Sequence, residues 1–103
     1  METAGDPFGA LSDGHRRSIL RLLAEGESSV GGLAESLPIS RPAVSRHLRL
    51  LEEAGLVKHR AEGTRNLYSL DQAGLHSIRG FLEEIWREAA VRFTMFAENT
   101  RDT

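Results

Sequence analysis

A chain of 103 residues holds one domain and little more, and a hydrophobic content of 40% is enough for a modest core. The absence of cysteine excludes disulfides, thiolate metal sites and thiol redox switches. A formal net charge of −2 conceals a segregation: residues 38–66 carry six Lys/Arg against three acids, and the remainder seven against twelve. No apolar run approaches the length of a membrane span, and the start METAGDPFG lacks the basic end and apolar run of a signal peptide. A soluble, cytoplasmic protein is the expectation.

Residues 1–6 are small or charged and are expected to be a disordered N-terminus. Phe8, Ala10 and Leu11 predict a short first helix that folds back on the core. Asp13 stands where an N-cap is wanted, before a helix with Ile19, Leu20, Leu22 and Leu23 on its apolar face and Gly26 closing it. Arg16, Arg17 and Arg21 are expected outward, as a solubilising face. Ser29 caps a brief third helix with Val30, Leu33, Ala34 and Leu37 inward. Gly31 and Gly32 weaken that helix intrinsically by up to about 1 kcal/mol each, a cost that makes sense where a neighbour passes close.

After a turn at Pro38 and Ile39, Ser40 caps the next helix and Pro42 sits in its first turn, where a missing N–H costs little. Val44, Leu48, Leu51 and Ala54 recur at helical spacing and face inward, whereas Arg41, Ser45, Arg46 and Arg49 face outward. Gly55 ends the helix. Two short helices joined by a tight turn form a helix-turn-helix, and a capped helix with an Arg/Ser face is shaped to enter a DNA major groove.

The period then changes. Leu56–Arg60 and Asn66–Leu70 alternate as strands around a tip at 61–65, a β-hairpin placed as a wing. Its Arg60, Thr64 and Arg65 are candidates for phosphate or minor-groove contact, the alternative being an exposed hairpin with solvated charges. Asp71 caps a long helix, roughly Gln72 to Ala97. Along it Leu75, Ile78, Leu82, Ile85, Trp86, Ala89, Phe93 and Phe96 recur every three or four residues, with Phe81 broadening the stripe. A body this small cannot cover about 39 Å of helix, so a second copy of the chain is the economical partner. The competing reading is a sensor pocket built from Phe81, Trp86 and Phe93. The fold class predicted is mainly α with a small β-hairpin: one domain over 7–97, then a disordered tail at 98–103.

With these residues in view the chain resembles the ArsR-type winged helix-turn-helix repressors of bacteria over nearly its whole length. The most specific matches are Leu33-Ala34, Ser45-Arg46-His47-Leu48, the run from Leu51 through Ala54-Gly55-Leu56-Val57, and Gly63 to Tyr68; Gly14 stands where the family more often has proline. The resemblance implies a homodimer, paired through first and last helices, that represses transcription at an inverted-repeat operator in double-stranded DNA. Carried over residue by residue, it assigns Ser40, Arg41, Ala43, Ser45, Arg46 and His47 to the groove-facing positions. Arg41 and Arg46 suit guanine, Ser45 a base or phosphate, Ala43 a thymine methyl, and Arg49 and Arg65 phosphates. His47 has an equal alternative, packing against the scaffold. The implied dimer contacts are Phe8, Leu11, Leu75, Ile78, Leu82, Ile85, Trp86, Ala89 and Phe93.

Metal-sensing members of that family hold their ion in one of two ways. The thiolate site is impossible without cysteine. The other uses Asp and His near the start of the terminal helix and His and Glu toward its end; Asp71 and His76 are present here, but no later histidine is. The expectation is the branch without recognised metal ligands, no cofactor, no membrane partner and an effector that the sequence does not name. Three rivals remain beside the repressor: a metal-responsive sensor, a small-ligand sensor with a pocket at the dimer helix, and a winged-helix module that binds protein. No nucleophile–base pair, carboxylate dyad or phosphate-cradling glycine loop points to an enzyme.

Overall fold

Four of the helices in the computed structural model begin where a capping side chain offers an acceptor. The structure describes residues 5–101, with side chains through 99. Asp13 accepts from His15 N and Arg16 N at 2.8 and 3.1 Å, and starts α2 (Gly14–Ala24). Ser29 Oγ accepts from Gly32 N at the head of α3 (Val30–Glu35), and Ser40 Oγ from Ala43 N at the head of α4 (Arg41–Glu53). Asp71 accepts from Ala73 N at the start of α5 (Gln72–Arg101). A fifth helix, α1 (Pro7–Ala10), is capped by Asp6, a residue expected to belong to a frayed terminus. Residues 1–4 and 102–103 of the two expected tails lie outside the described residues.

The core is the meeting of α2, α3 and α4. Ile19, Leu23, Leu33, Val44, Leu48 and Leu51 are buried there with Leu56 and Val57, and no polar side chain is buried among the described residues. Burying a Leu or Val side chain of this kind contributes about 1.5–3 kcal/mol, so the inward stripe of α4 is what fastens that helix to the body.

The hairpin is longer than the sequence suggested. β2 (Val57–Glu62) and β3 (Arg65–Leu70) pair antiparallel down to Glu62 opposite Arg65, leaving a two-residue loop at Gly63 and Thr64. Gly63 has φ +63° and Thr64 is not left-handed, the pattern of a II′ turn, whose twist matches that of the strands. A third strand, β1 (Ser28–Ser29), lies on the other side of β3, giving the order β1-β3-β2. Two residues carry no readable alternation, so Ser29 was legible only as a cap.

Arg16 departs from its expected outward position. Its Nε donates to Ala10 O at 2.8 Å, and Arg17 donates to Leu11 O at 2.7 Å, so both guanidinium groups close the carbonyl end of α1. α5 is likewise longer than expected and continues as helix through Arg101. Its far half leaves the body: the radius of gyration is 18.7 Å, against about 13 Å for a compact chain of this length.

One junction ties these parts together. Gly55 N donates to Glu52 O and Leu56 N to Leu51 O, the paired bonds of a Schellman stop, with Gly55 at φ +77° and Leu51 against Leu56 in the core. Gly55 O then accepts from Gly74 N at 3.1 Å, and Leu56 O from Asp71 N at 2.9 Å. A Cβ on Gly74 would collide with the Gly55 carbonyl, which cannot swing away. Gly74→Ala should therefore destabilise the fold by about 1–3 kcal/mol despite the better helix propensity of alanine. Gly80→Ala, which enters open space on the same helix, should stabilise it by up to about 1 kcal/mol. Urea midpoints of the two variants check the pair of signs.

Candidate nucleic-acid interface

α4 presents its outward face along one side. Arg41, Ser45, Arg46 and Arg49 are exposed beside Ser40 and Pro42, and Ala43 and His47 are half-buried at the border. The three arginine side chains of this face form no ion pair or hydrogen bond among the described residues. Arg41, Arg49 and Arg46 spread over roughly 140° of the outward side of α4, and with no acid neutralising them among the described residues they leave a positive surface that suits phosphates and guanine edges.

The wing is arranged differently. Arg60 reaches Glu27, ahead of β1, with Nη2–Oε1 at 2.6 Å and Nε–Oε2 at 3.3 Å, and meets Glu62 at 3.2 Å. Hydrogen bonding to Arg60 holds the Glu27 carboxyl below its ordinary value, against a small cost of burial. Arg65 is 3.6 Å from Glu62 and 60% exposed, a looser attachment of a kind that contributes little. Thr64 is exposed at the tip. Of the three wing residues singled out in the sequence, then, the structure places Thr64 and Arg65 at the tip and engages Arg60 within the protein. Glu27 had no signal in the sequence: it lies 33 positions from Arg60 and only the sheet brings them together.

His47 faces the scaffold. Its Nδ1 lies 3.4 Å from Arg16 Nη1, and its ring is 6.0 Å from that of His15. Arginine can only donate, so His47 Nδ1 accepts and the ring is neutral in this pairing. Burial holds its pKa below the ordinary value of 6.5; Asp13 pulls it upward, and the charges of Arg16, His15 and Arg46 press it down further. At the other end of α4, Glu52 accepts from His59 Nδ1 at 2.7 Å and the His59 ring packs on Tyr68, which fastens the helix to the wing.

The stripe on α5 divides in two. Leu75 and Ile78 are half-buried against the core, and Phe81 meets Phe8 of α1 edge-to-face at 5.0 Å, next to half-buried Leu11. Beyond them Leu82, Ile85, Ala89, Trp86 and Phe93 are exposed, the last two by 72% and 77%. An open groove of about 620 Å³ runs along this side between Leu75 and Trp86, walled only by the one helix. Among the described residues no three His, Cys, Asp or Glu side chains come together to hold a metal ion, and no helix is long and apolar enough to cross a membrane.

Comparisons with known proteins converge. Residues 13–59 match the profile described as "Bacterial regulatory protein, arsR family". An HTH-type transcriptional regulator of Mycobacterium tuberculosis, Rv2034, is 45% identical over 93 residues, covering 90% of this chain and 87% of that protein. The transcriptional repressor SdpR of Bacillus subtilis is 41% identical over 64 residues, 62% of this chain and 71% of the repressor. Among solved structures, an ArsR-like transcriptional regulator from Rhodococcus sp. RHA1 superposes with a TM-score of 0.80 at 33% identity, over 93% of this chain and 88% of the other.

The His47 contact carries a pH dependence. In the unfolded chain His47 takes its proton near pH 6.5, and in the folded chain only at lower pH, so the unfolded state binds more protons between the two values. Folding stability should fall as the pH drops from about 6.5 through the folded value, and His47→Gln should remove that part of the slope. Urea titrations of both proteins at steps between pH 7.5 and 5 measure it.

Proposed function

The chain belongs to the arsR family of bacterial regulatory proteins, DNA-binding transcriptional regulators rather than enzymes, and on that premise we propose a homodimeric repressor that reads an inverted-repeat operator in the cytoplasm. The observation that carries the reading is the unneutralised arginine face of α4, on a helix whose opposite stripe is wholly buried. Arg46 and Ser45 take base edges in the major groove, Ala43 a thymine methyl, and Arg49 the phosphate backbone, with Ser40 fixing the helix start. Thr64 and Arg65 at the wing tip reach the flanking backbone, while Arg60, held by Glu27, sets the angle of the wing. His47 serves the scaffold.

The second copy follows from α5. Large side chains exposed as far as Trp86 and Phe93 are unusual on a monomer, and a twofold partner would bury the same stripe on both chains, with Phe8 and Leu11 at its edge. Two α4 helices so related would meet successive major grooves about 34–36 Å apart. The comparison with SdpR, itself named a repressor, favours repression as the outcome of covering that site.

Arg46→Ala should weaken operator binding by ~1–3 kcal/mol and blur preference at one base pair per half-site, read by titrating a selected operator and its point variants. An equal loss on random DNA would reduce Arg46 to a phosphate contact. Trp86→Glu should weaken dimerisation by about 2 kcal/mol or more, roughly thirtyfold in the dissociation constant read by sedimentation equilibrium, with operator affinity lost in parallel. A variant that stays fully dimeric would take α5 out of the interface.

A further inference from the structure

We infer that Gly31 is a positioning residue for Arg41, and that Arg41, so placed, anchors a backbone phosphate at the flank of the major groove instead of reading a base; the inference rests on the operator-binding reading above. The contact is direct. A Cβ built on Gly31 would fall on the Arg41 guanidinium, with Cζ at 3.1 Å and Nε at 3.5 Å, so the side chain lies across the bare first turn of α3. Gly32 is bare for a different reason, since its Cβ would meet Ser28 Oγ at 2.6 Å in the turn from β1.

The position on α4 points the same way. At 3.6 residues per turn Arg41 lies roughly 140° around the helix from Arg46, on the border of the buried stripe of Val44 and Leu48. Side chains so far apart around the helix meet different parts of a groove, one its floor and the other its rim. Arg46 holds the exposed centre, and Arg41 leans back over α3, where the strand rim of the groove would pass. The guanidinium has no acid or carbonyl partner among the described residues, so its seat on Gly31 satisfies none of its five donors. Glycine also weakens a helix relative to alanine, and here it serves no left-handed backbone: the positive-φ glycines are Gly26, Gly55 and Gly63. What the glycine supplies is room.

Gly31→Ala tests this, because its effects on stability and on binding should diverge. The new methyl meets the far end of a flexible side chain, so the melting temperature should stay level or rise, while Arg41 is pushed off its seat. Affinity should drop about three- to tenfold on operator and random DNA alike, and the salt slope should become shallower by up to about one unit per protomer. In an Arg41→Ala background Gly31→Ala should add no further loss. Wild-type binding by Gly31→Ala, a loss confined to the operator, or a loss that persists without Arg41 would each overturn the proposal. A lowered melting temperature with binding loss independent of Arg41 would mark Gly31 as merely structural, which also overturns it. Arg46→Ala in the same assay separates the two levels. If it loses operator preference while Gly31→Ala binds normally, the positioning role falls and operator reading stands. If neither variant changes binding, operator reading falls with it.

Discussion

The carbonyl of Gly55 is the atom on which the working parts of this protein depend. Gly55 ends α4 through its N–H and its φ of +77°, and its carbonyl, just before the first strand of the wing, accepts the Gly74 amide from the first turn of α5. Both partners are glycines for stated reasons: one needs φ +77°, the other has no space for a side chain. α4, the hairpin and α5 are thereby fixed to a shared point, so the directions of α5 and α4 are set together. The wing is held at two further places, where Glu52 meets His59 and where Glu27 meets Arg60.

Much of this was legible in the sequence because it depends on local chemistry. Asp13, Ser29, Ser40 and Asp71 each cap the helix they announce, and Val44, Leu48 and Leu51 are as buried as their spacing required. The stop at Gly55 and the hairpin were readable from glycine and from a change of period. What was not readable depends on distant partners. β1 exists because β3 passes Ser28 and Ser29, Arg16 turns inward because the carbonyls of α1 arrive there, and Arg60 is neutralised by an acid far away in the chain. The extra turn of α5 had no local signal either, since residues 98–101 are polar and helical only as a continuation.

The site shows the same division. Which residues of α4 face outward follows from periodicity, and the structure agrees for Arg41, Ser45, Arg46 and Arg49. Which of the cations are at liberty does not follow from it. Sequence counts treat Arg60 and Arg46 alike, but one is engaged by two carboxylates and the other by none among the described residues. His47 shows how a border position changes role: half-buried, beside Arg16 and held neutral, it secures α4 to α2.

That division of charge also bears on how a complex forms. Three α4 arginines without an acid partner among the described residues, in a chain whose residues outside 38–66 sum to a negative charge, bias positive charge toward that helix. Near a nucleic-acid rod such a body experiences a torque as well as an attraction, and it rotates before it touches. Encounters with this helix turned away gain less from the attraction, so diffusion spends fewer collisions on the wrong face. A protein of net negative charge can in this way associate quickly with a polyanion.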